Sequence, residues 1–413
     1  MSLDLNILIV GPYPPPFGGI SSLIRSLVDG LKRKDVKEVV ILYFGNKDNI
    51  RMVEGAVVYE KSVRENFWKV LDPRNWLLIP ILVNTYYGKN LLFKDYVVIL
   101  IKTILTNELA KKHNVNTTSF YQSDTSLHLL LCKRIWGKKK SIILSVFGEI
   151  YDVSEFLLPK KDILLEMLNQ ADAVISSSCY CAESFKTIGN ERDIEVIYVG
   201  VSVSRFNDGH LLRQTYRKEL EVRDDTVVLL FMGRFNPEMG LQSILELVPS
   251  LLDSNPDFHF ILAGAAGELT AKALECRNKF PEKITVMNDI PFDLQPTLYA
   301  ASDIVLSPSR DKHACMGVSI KEAMAAAVPV IASDSGGIPE AVIHNETGII
   351  VPLQEDGENN LEEYKKAILN LAYDVNKRKL LSDNSKKRAS DIFSEEETIE
   401  KTFQVFKTHA PQE

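Results

Sequence analysis

The chain is 413 residues long, enough for two or three domains with sizeable cores. Its 45% hydrophobic and 25% charged residues are ordinary for a globular protein, and a net charge of −7 argues against a nucleic-acid partner. Cys132, Cys179, Cys181, Cys276 and Cys315 form no CxxC pair, which reads as free thiols in a reducing cytosol and not as a disulfide framework or a zinc site.

The opening MSLDLNILIV carries no basic stretch and passes straight into a strand at Asn6–Val10, so a secretory signal is not expected and the chain reads as cytoplasmic. The loop GPYPPPFGGISSLIRSL follows. Gly18 and Gly19 open a helix whose stripe of Ile20, Leu23, Ile24, Leu27, Val28 and Leu31 suits packing onto a sheet. Glycines there let backbone N–H groups approach an anion, and a helix N-terminus favours negative charge; a plain tight turn fits the pair equally well. The loop is not GxGxxG, which disfavours a dinucleotide site. Further strands are expected at Val39–Phe44, Tyr96–Ile101, Ser141–Val146, Ala173–Ser176 and Glu195–Val199. WLLIPILV at 76–83 contains Pro80, and Leu91–Leu105 is broken by Lys94, Asp95 and Lys102. Neither reaches the roughly 20 apolar residues of a membrane span, and both read as core or partly interfacial segments. Residues 1–205 carry a balance of +4 and the remainder −11. The basic clusters KRKDVK (32–37) and KRIWGKKK (133–140) suit a peripheral contact with an anionic membrane, or plain solvation.

The polar stretch around 200–214 marks a break between a domain of residues 1–205 and one of 206–390. In the second half, strands are expected at Thr226–Met232, Phe258–Ala263, Ile284–Met287, Asp303–Leu306 and Pro329–Ala332. Strands apolar throughout and separated by helices imply an α/β chain with parallel sheets covered on both faces. Two such doubly wound domains offer a ligand cleft at the carboxyl ends of their strands. At FMGRFNPEMG (231–240) a strand ends at Gly233 and presents Arg234, whose planar fork suits a diphosphate. At HACMGVSIKEAMAAAVPVIASDSGGIPEAV (313–342) a helix begins near Gly317. The backbone amides of Cys315–Gly317 would face a ligand, and the carboxylate of Glu322 suits a ribose diol. A last helix, within 391–413, places Ile399, Phe403 and Phe406 on one face.

The order PPPFGGISSLIRSL, ADAVISSSCYCAESF, VIYVGVSVSRF, FMGRFNPEMGLQSIL, FILAGAAGE, LYAASDIVLSPS and GVSIKEAMAAAVPVIASDSGGIPEAV resembles the family 4 glycosyltransferases. These are retaining enzymes of the GT-B fold, with two Rossmann-like domains facing each other across a cleft and a C-terminal helix crossing back to the first. The resemblance implies a nucleotide-diphosphate-sugar donor and a glycan or lipid-linked acceptor, as in surface polysaccharide assembly, with no metal and no cofactor. It implies diphosphate contacts at Gly18, Gly19 and Arg234, a ribose contact at Glu322 and sugar contacts from the amides around Met316-Gly317; Gly233, Cys315 and Val318 complete the candidate donor set, and Arg234, Glu322 and Glu149 are the candidate catalytic residues. Three positions depart from the family pattern: Met239 replaces a lysine, Ala314 a glutamate and Phe147 a histidine. Lys312, His313, Lys321 and Glu149 are candidate substitutes. These departures keep a non-catalytic nucleotide-sugar-binding or scaffolding protein open as the alternative; a nucleotide-sugar epimerase fits the 317–330 segment less well.

Overall fold

The computed structural model describes residues 4–411 apart from 15–18, 35, 54, 123–124, 151–159, 256 and 313–314. Residues 1–199 and 396–413 form one compact unit, and residues 200–395 form the other.

The first unit is built on an eight-stranded sheet. Its strands are β1 (Asn6–Val10), β2 (Glu38–Phe44), β3 (Asn49–Val53), β4 (Ala56–Lys61), β5 (Thr117–Tyr121), β6 (Ser141–Val146), β7 (Ala173–Ser176) and β8 (Glu195–Val196). The order is β3-β4-β2-β1-β5-β6-β7-β8, parallel throughout except for the β3–β4 hairpin. Successive residues of β1 enter opposite cores, as the period of two requires: Leu8 and Val10 join one cluster, Ile7 and Ile9 the other. The helix Gly19–Leu31 covers the second face together with the final helix, Glu395–His409. Their approach is close because Gly30 has no side chain; a Cβ there would lie 2.3 Å from Ile399 Cδ1.

The second unit holds an all-parallel sheet of β9 (Val227–Met232), β10 (Phe258–Gly264), β11 (Ile284–Asn288), β12 (Ile304–Ser307), β13 (Val330–Ser333) and β14 (Gly348–Val351), in the order β11-β10-β9-β12-β13-β14. Its apolar residues form one large cluster through β9, β10 and the helices Leu241–Ser254 and Leu361–Tyr373.

Several expectations need correcting. Tyr96–Ile101 is not a strand; it lies inside the helix Phe93–Lys112. There the Asp95 carboxylate accepts the Leu92 N–H at 3.0 Å, and Lys111 and Lys112 sit at the C-terminal end, so capping and dipole complementarity outweigh the β-branched run. The central strand in its place is β5, whose Thr117, Thr118 and Ser119 are fully buried. Val199 lies outside β8, which ends at Val196. The boundary falls at 199/200 and not at 205/206, because the Val201 N–H donates to Phe393 O (2.8 Å) and the Glu395 N–H to Val201 O (3.1 Å). Of the two readings of 76–83, core holds only for Leu82, with Leu78 packed against the core, while Trp76, Leu77, Ile79, Ile81 and Val83 are exposed. No helix among the described residues is long and apolar enough to cross a membrane.

Candidate functional site

In the second unit the chain builds β9, β10 and β11 outward in one direction, then returns to add β12 on the other side of β9. The loops after β9 and β12 therefore flank the point where the strand order reverses, where open α/β sheets form a ligand crevice. The first loop carries Gly233 and Arg234. Gly233 has close company: Gly264, at φ +147°, lies so near that a Cβ on it would sit 1.9 Å from Gly233 O. Arg234 is exposed, and among the described residues its side chain has no hydrogen bond or ion pair. A surface ion pair, the ordinary use of such an arginine, is not its role here.

The two loops are locked together. Gly240, at φ +78°, faces Pro308 O, and the Arg310 N–H donates to Glu238 O at 2.8 Å. Asn359 ties in a third segment, donating to Pro308 O (2.8 Å) and Ser243 Oγ (2.9 Å) while accepting from Ser333 Oγ (2.6 Å). Met239, where a lysine was expected, packs partly buried against the core.

After β12 the chain reaches Cys315, buried Met316 and Gly317, which at φ +71° precedes the helix Val318–Ala325. Gly337 of the loop after β13 comes up against Cys315; a Cβ at 337 would lie 1.5 Å from Cys315 O. Gly337 thus lets the backbones of the two loops touch. Glu322 follows one turn into the helix and is buried. Its Oε2 accepts from Tyr299 Oη at 2.9 Å, and its Oε1 lies 3.8 Å from Arg205 Nη1. Burial raises the Glu322 pKa, opposed by the Tyr299 hydrogen bond and the Arg205 charge. Arg205 is itself clamped: its guanidinium lies 3.5 Å from the Phe292 ring centroid and donates to Phe292 O at 2.8 Å. Lys321 is only 2% exposed, with Nζ 5.8 Å from the Phe393 ring centroid, and burial lowers its pKa to about 8. It is therefore not a surface substitute for the missing lysine.

In the first unit the order reverses between β1 and β5. A groove of roughly 640 Å³ opens there, lined by Gly11–Tyr13, the end of β2, Arg51, Lys102 and Gln122. The Arg51 guanidinium sits 5.9 Å from the Tyr13 ring centroid and 6.0 Å from that of Tyr43, and Lys102 Nζ sits 4.7 Å from that of Phe44. Gly19 opens its helix as expected, whereas Gly18, His313 and Ala314 lie outside the described residues. Phe147 stacks on Tyr121 (centroids 6.4 Å apart), and its N–H donates to the buried Glu149 carboxylate. Among the described residues no group of three His, Cys, Asp or Glu side chains is placed to hold a metal ion.

A family model described as "Glycosyl transferases group 1" matches residues 213–388. That stretch is a glycosyltransferase group 1 domain. Among the sequence relatives of this glycosyltransferase, the GDP-mannose-dependent alpha-(1-6)-phosphatidylinositol monomannoside mannosyltransferase of Mycobacterium tuberculosis (strain CDC 1551 / Oshkosh) is 23% identical over 353 residues, 84% of each chain. The D-inositol 3-phosphate glycosyltransferase of Corynebacterium glutamicum (strain R) is 33% identical over 167 residues, 38% of this chain and 39% of that one. The structure of Anabaena Alr3699/HepE in complex with UDP matches 98% of this chain and 100% of its own, with a TM-score of 0.72 at 16% identity. The fold of the glycosyltransferase is GT-B, with two Rossmann-like units.

The sequence reading did not single out Arg205, Tyr299, Asn359 or Arg51. Arg205 and Tyr299 sit at the edges of motifs, in VSVSRF and LYAASD, with no spacing that ties them to Glu322. Only the fold brings them together.

Proposed function

We propose that this glycosyltransferase moves a sugar from a nucleotide-diphosphate sugar to a hydroxyl of a glycan or glycolipid, with retention of configuration. The observation that carries the reading is Arg234: a cation whose side chain has no partner among the described residues, on a glycine-bounded loop at the strand reversal of the second sheet. Its fork would hold the diphosphate and stabilise the charge that develops as the leaving group departs. The helix N-terminus at Gly317–Val318 would add dipole stabilisation, and the amides of Cys315 and Met316 would contact the sugar. Glu322, positioned by Tyr299 and Arg205, would accept from the ribose diol. The acceptor hydroxyl attacks the face the diphosphate leaves, and a diphosphate oxygen takes its proton; this scheme uses no metal and no cofactor. The groove of the first unit suits the acceptor, and Arg51 and Lys102 favour one with an anionic group. Names of relatives such as the mycobacterial mannosyltransferase make GDP-mannose the first donor to test and support a glycolipid acceptor.

The test is nucleoside-diphosphate release from UDP- and GDP-sugars, with and without glycolipid and glycan acceptors, in the wild type and Arg234→Ala. We expect acceptor-dependent release with one donor and its loss in the variant. Two observations favour a binding or scaffolding protein as a second reading: Met239 packs partly buried against the core where the family has lysine, and both Glu322 oxygens already face protein partners. Tight nucleotide-sugar binding without turnover across the acceptor panel would select it.

A further inference from the structure

Eighteen large hydrophobic residues are exposed among the described residues, and eleven of them fall between Phe67 and Phe93. The concentration is far from the scatter expected of an ordinary surface, and contiguous apolar patches of this kind mark interaction sites. Leu77 is 79% exposed, Tyr87 82% and Phe93 84%, with Trp68, Leu71 and Trp76 all above half. The segment forms an outer layer on the first unit: two short 3-10 turns, Phe67–Val70 and Pro73–Asn75, then the helix Leu78–Thr85, packed over the helices Phe93–Lys112 and Leu129–Trp136. It is firmly built. The Trp76 indole N–H donates to Val70 O (3.1 Å), Asn75 Nδ2 donates to Lys69 O (2.9 Å), and Tyr96 Oη donates to Tyr86 O (3.1 Å). The exposed side chains are thus presented from a tied-down scaffold.

We propose that this surface docks the protein onto a phospholipid bilayer that contains anionic lipid. Three features select that occupant. The exposed residues include two tryptophans and a tyrosine, side chains that favour the headgroup boundary because one end is apolar and the other polar. Residues 64–94 hold five Lys and Arg against two Asp and Glu, a balance of +3 within a chain of −7; Arg64, Arg74 and Lys94 are exposed around the apolar side chains. That charge complements an anionic leaflet. In a two-fold pairing of this surface with a second copy, it would face itself and repel. The helix Leu78–Thr85 has eight residues, about 12 Å of length, so it lies in the interface and cannot span. The inference is independent of the catalytic reading and assigns membrane contact to this face, not to the lysines at 138–140, one of which, Lys140, already donates to Val115 O.

The full chain is sedimented with vesicles of phosphatidylcholine alone and of phosphatidylcholine mixed with phosphatidylglycerol, while its fluorescence is followed. Trp68 and Trp76 are exposed and Trp136 is buried, so insertion should blue-shift the emission, and brominated lipid should quench it. Binding should be stronger with the anionic mixture and should persist in part at high salt. The double variant Trp76→Ser, Leu77→Ser should partition at least about tenfold more weakly, Trp76→Phe should retain most binding, and Lys138→Gln with Lys139→Gln should bind like wild type. Far-UV circular dichroism confirms that each variant is folded. The proposal is overturned if the wild type ignores both vesicle types, if the 138/139 variant loses binding while the 76/77 variant keeps it, or if sedimentation equilibrium shows a dimer that Leu77→Ser dissociates.

Discussion

Lys321 and Glu322 are neighbours in one helix and both buried, yet they answer to different surroundings. Glu322 has Tyr299 and Arg205 to hold its charge, whereas Lys321 has an aromatic ring above it and a pKa lowered to about 8 from 10.5 by burial. Because the folded state gives up its proton first, the unfolded chain holds more protons between about pH 8 and 10.5, and stability rises with pH across that window. Lys321→Met should remove this rise and stabilise the protein near neutral pH by about 1–3 kcal/mol; urea unfolding at pH 7 and pH 10 measures both effects. Arg234 offers the opposite case. Exposed and without a side-chain partner among the described residues, it should be replaceable by alanine with no change in melting temperature, while affinity for the donor's nucleoside diphosphate falls by about 1.5–3 kcal/mol. An Arg234→Ala variant that binds the diphosphate like wild type would remove it from the site. Tyr299→Phe tests positioning: losing one hydrogen bond to Glu322 should weaken donor binding by about 0.5–1.5 kcal/mol and leave Arg234 untouched. Calorimetric titration with UDP and GDP separates the two variants.

At the scale of elements, the carboxyl-end loops of the second sheet act as a set because glycines let their backbones touch. Gly337→Ala places a methyl group against the Cys315 carbonyl, so the 315–317 loop must shift. The expected result is a lower melting temperature together with weaker donor binding, measured on the same sample with and without nucleotide. If stability falls but donor affinity does not, the 315–317 amides are not donor contacts. These loops were legible in the sequence for a physical reason: glycine at a close approach and an arginine after a buried strand are local requirements, and local requirements leave local signatures. The same logic explains what was missed. Tyr96–Ile101 reads as a strand by β-branched content, but the Asp95 cap and the helices packed around it decide otherwise. Thr117–Ser119 gives no apolar strand signal because its residues are polar, although as part of β5 it lies at the centre of the first sheet. The partnership of Glu322 with Arg205 and Tyr299 joins three separate elements, and no spacing in the chain encodes it.

For the whole molecule, the decisive fact is that the first unit is discontinuous: the chain leaves it after Val199 and returns at Glu396. Ile399, Phe403 and Phe406 complete its second core, and burial of each contributes about 1.5–3 kcal/mol. Together they rival the roughly 5–15 kcal/mol margin of a typical domain. A chain ended at Ser394 should therefore lose the first unit's unfolding transition in calorimetry while the second unit's remains; an unchanged thermogram would show that the last helix is dispensable. The same layout governs how the protein is made. During synthesis at about 5–20 residues per second, roughly 10–40 s separate completion of residue 199 from the emergence of the helix that closes its core. Through that interval the Gly30 face of the first helix lacks the final helix it packs against, while the second unit is still being made. The earlier-made half thus stays open to chaperones, and to aggregation, until the helix that begins at Glu395 has emerged.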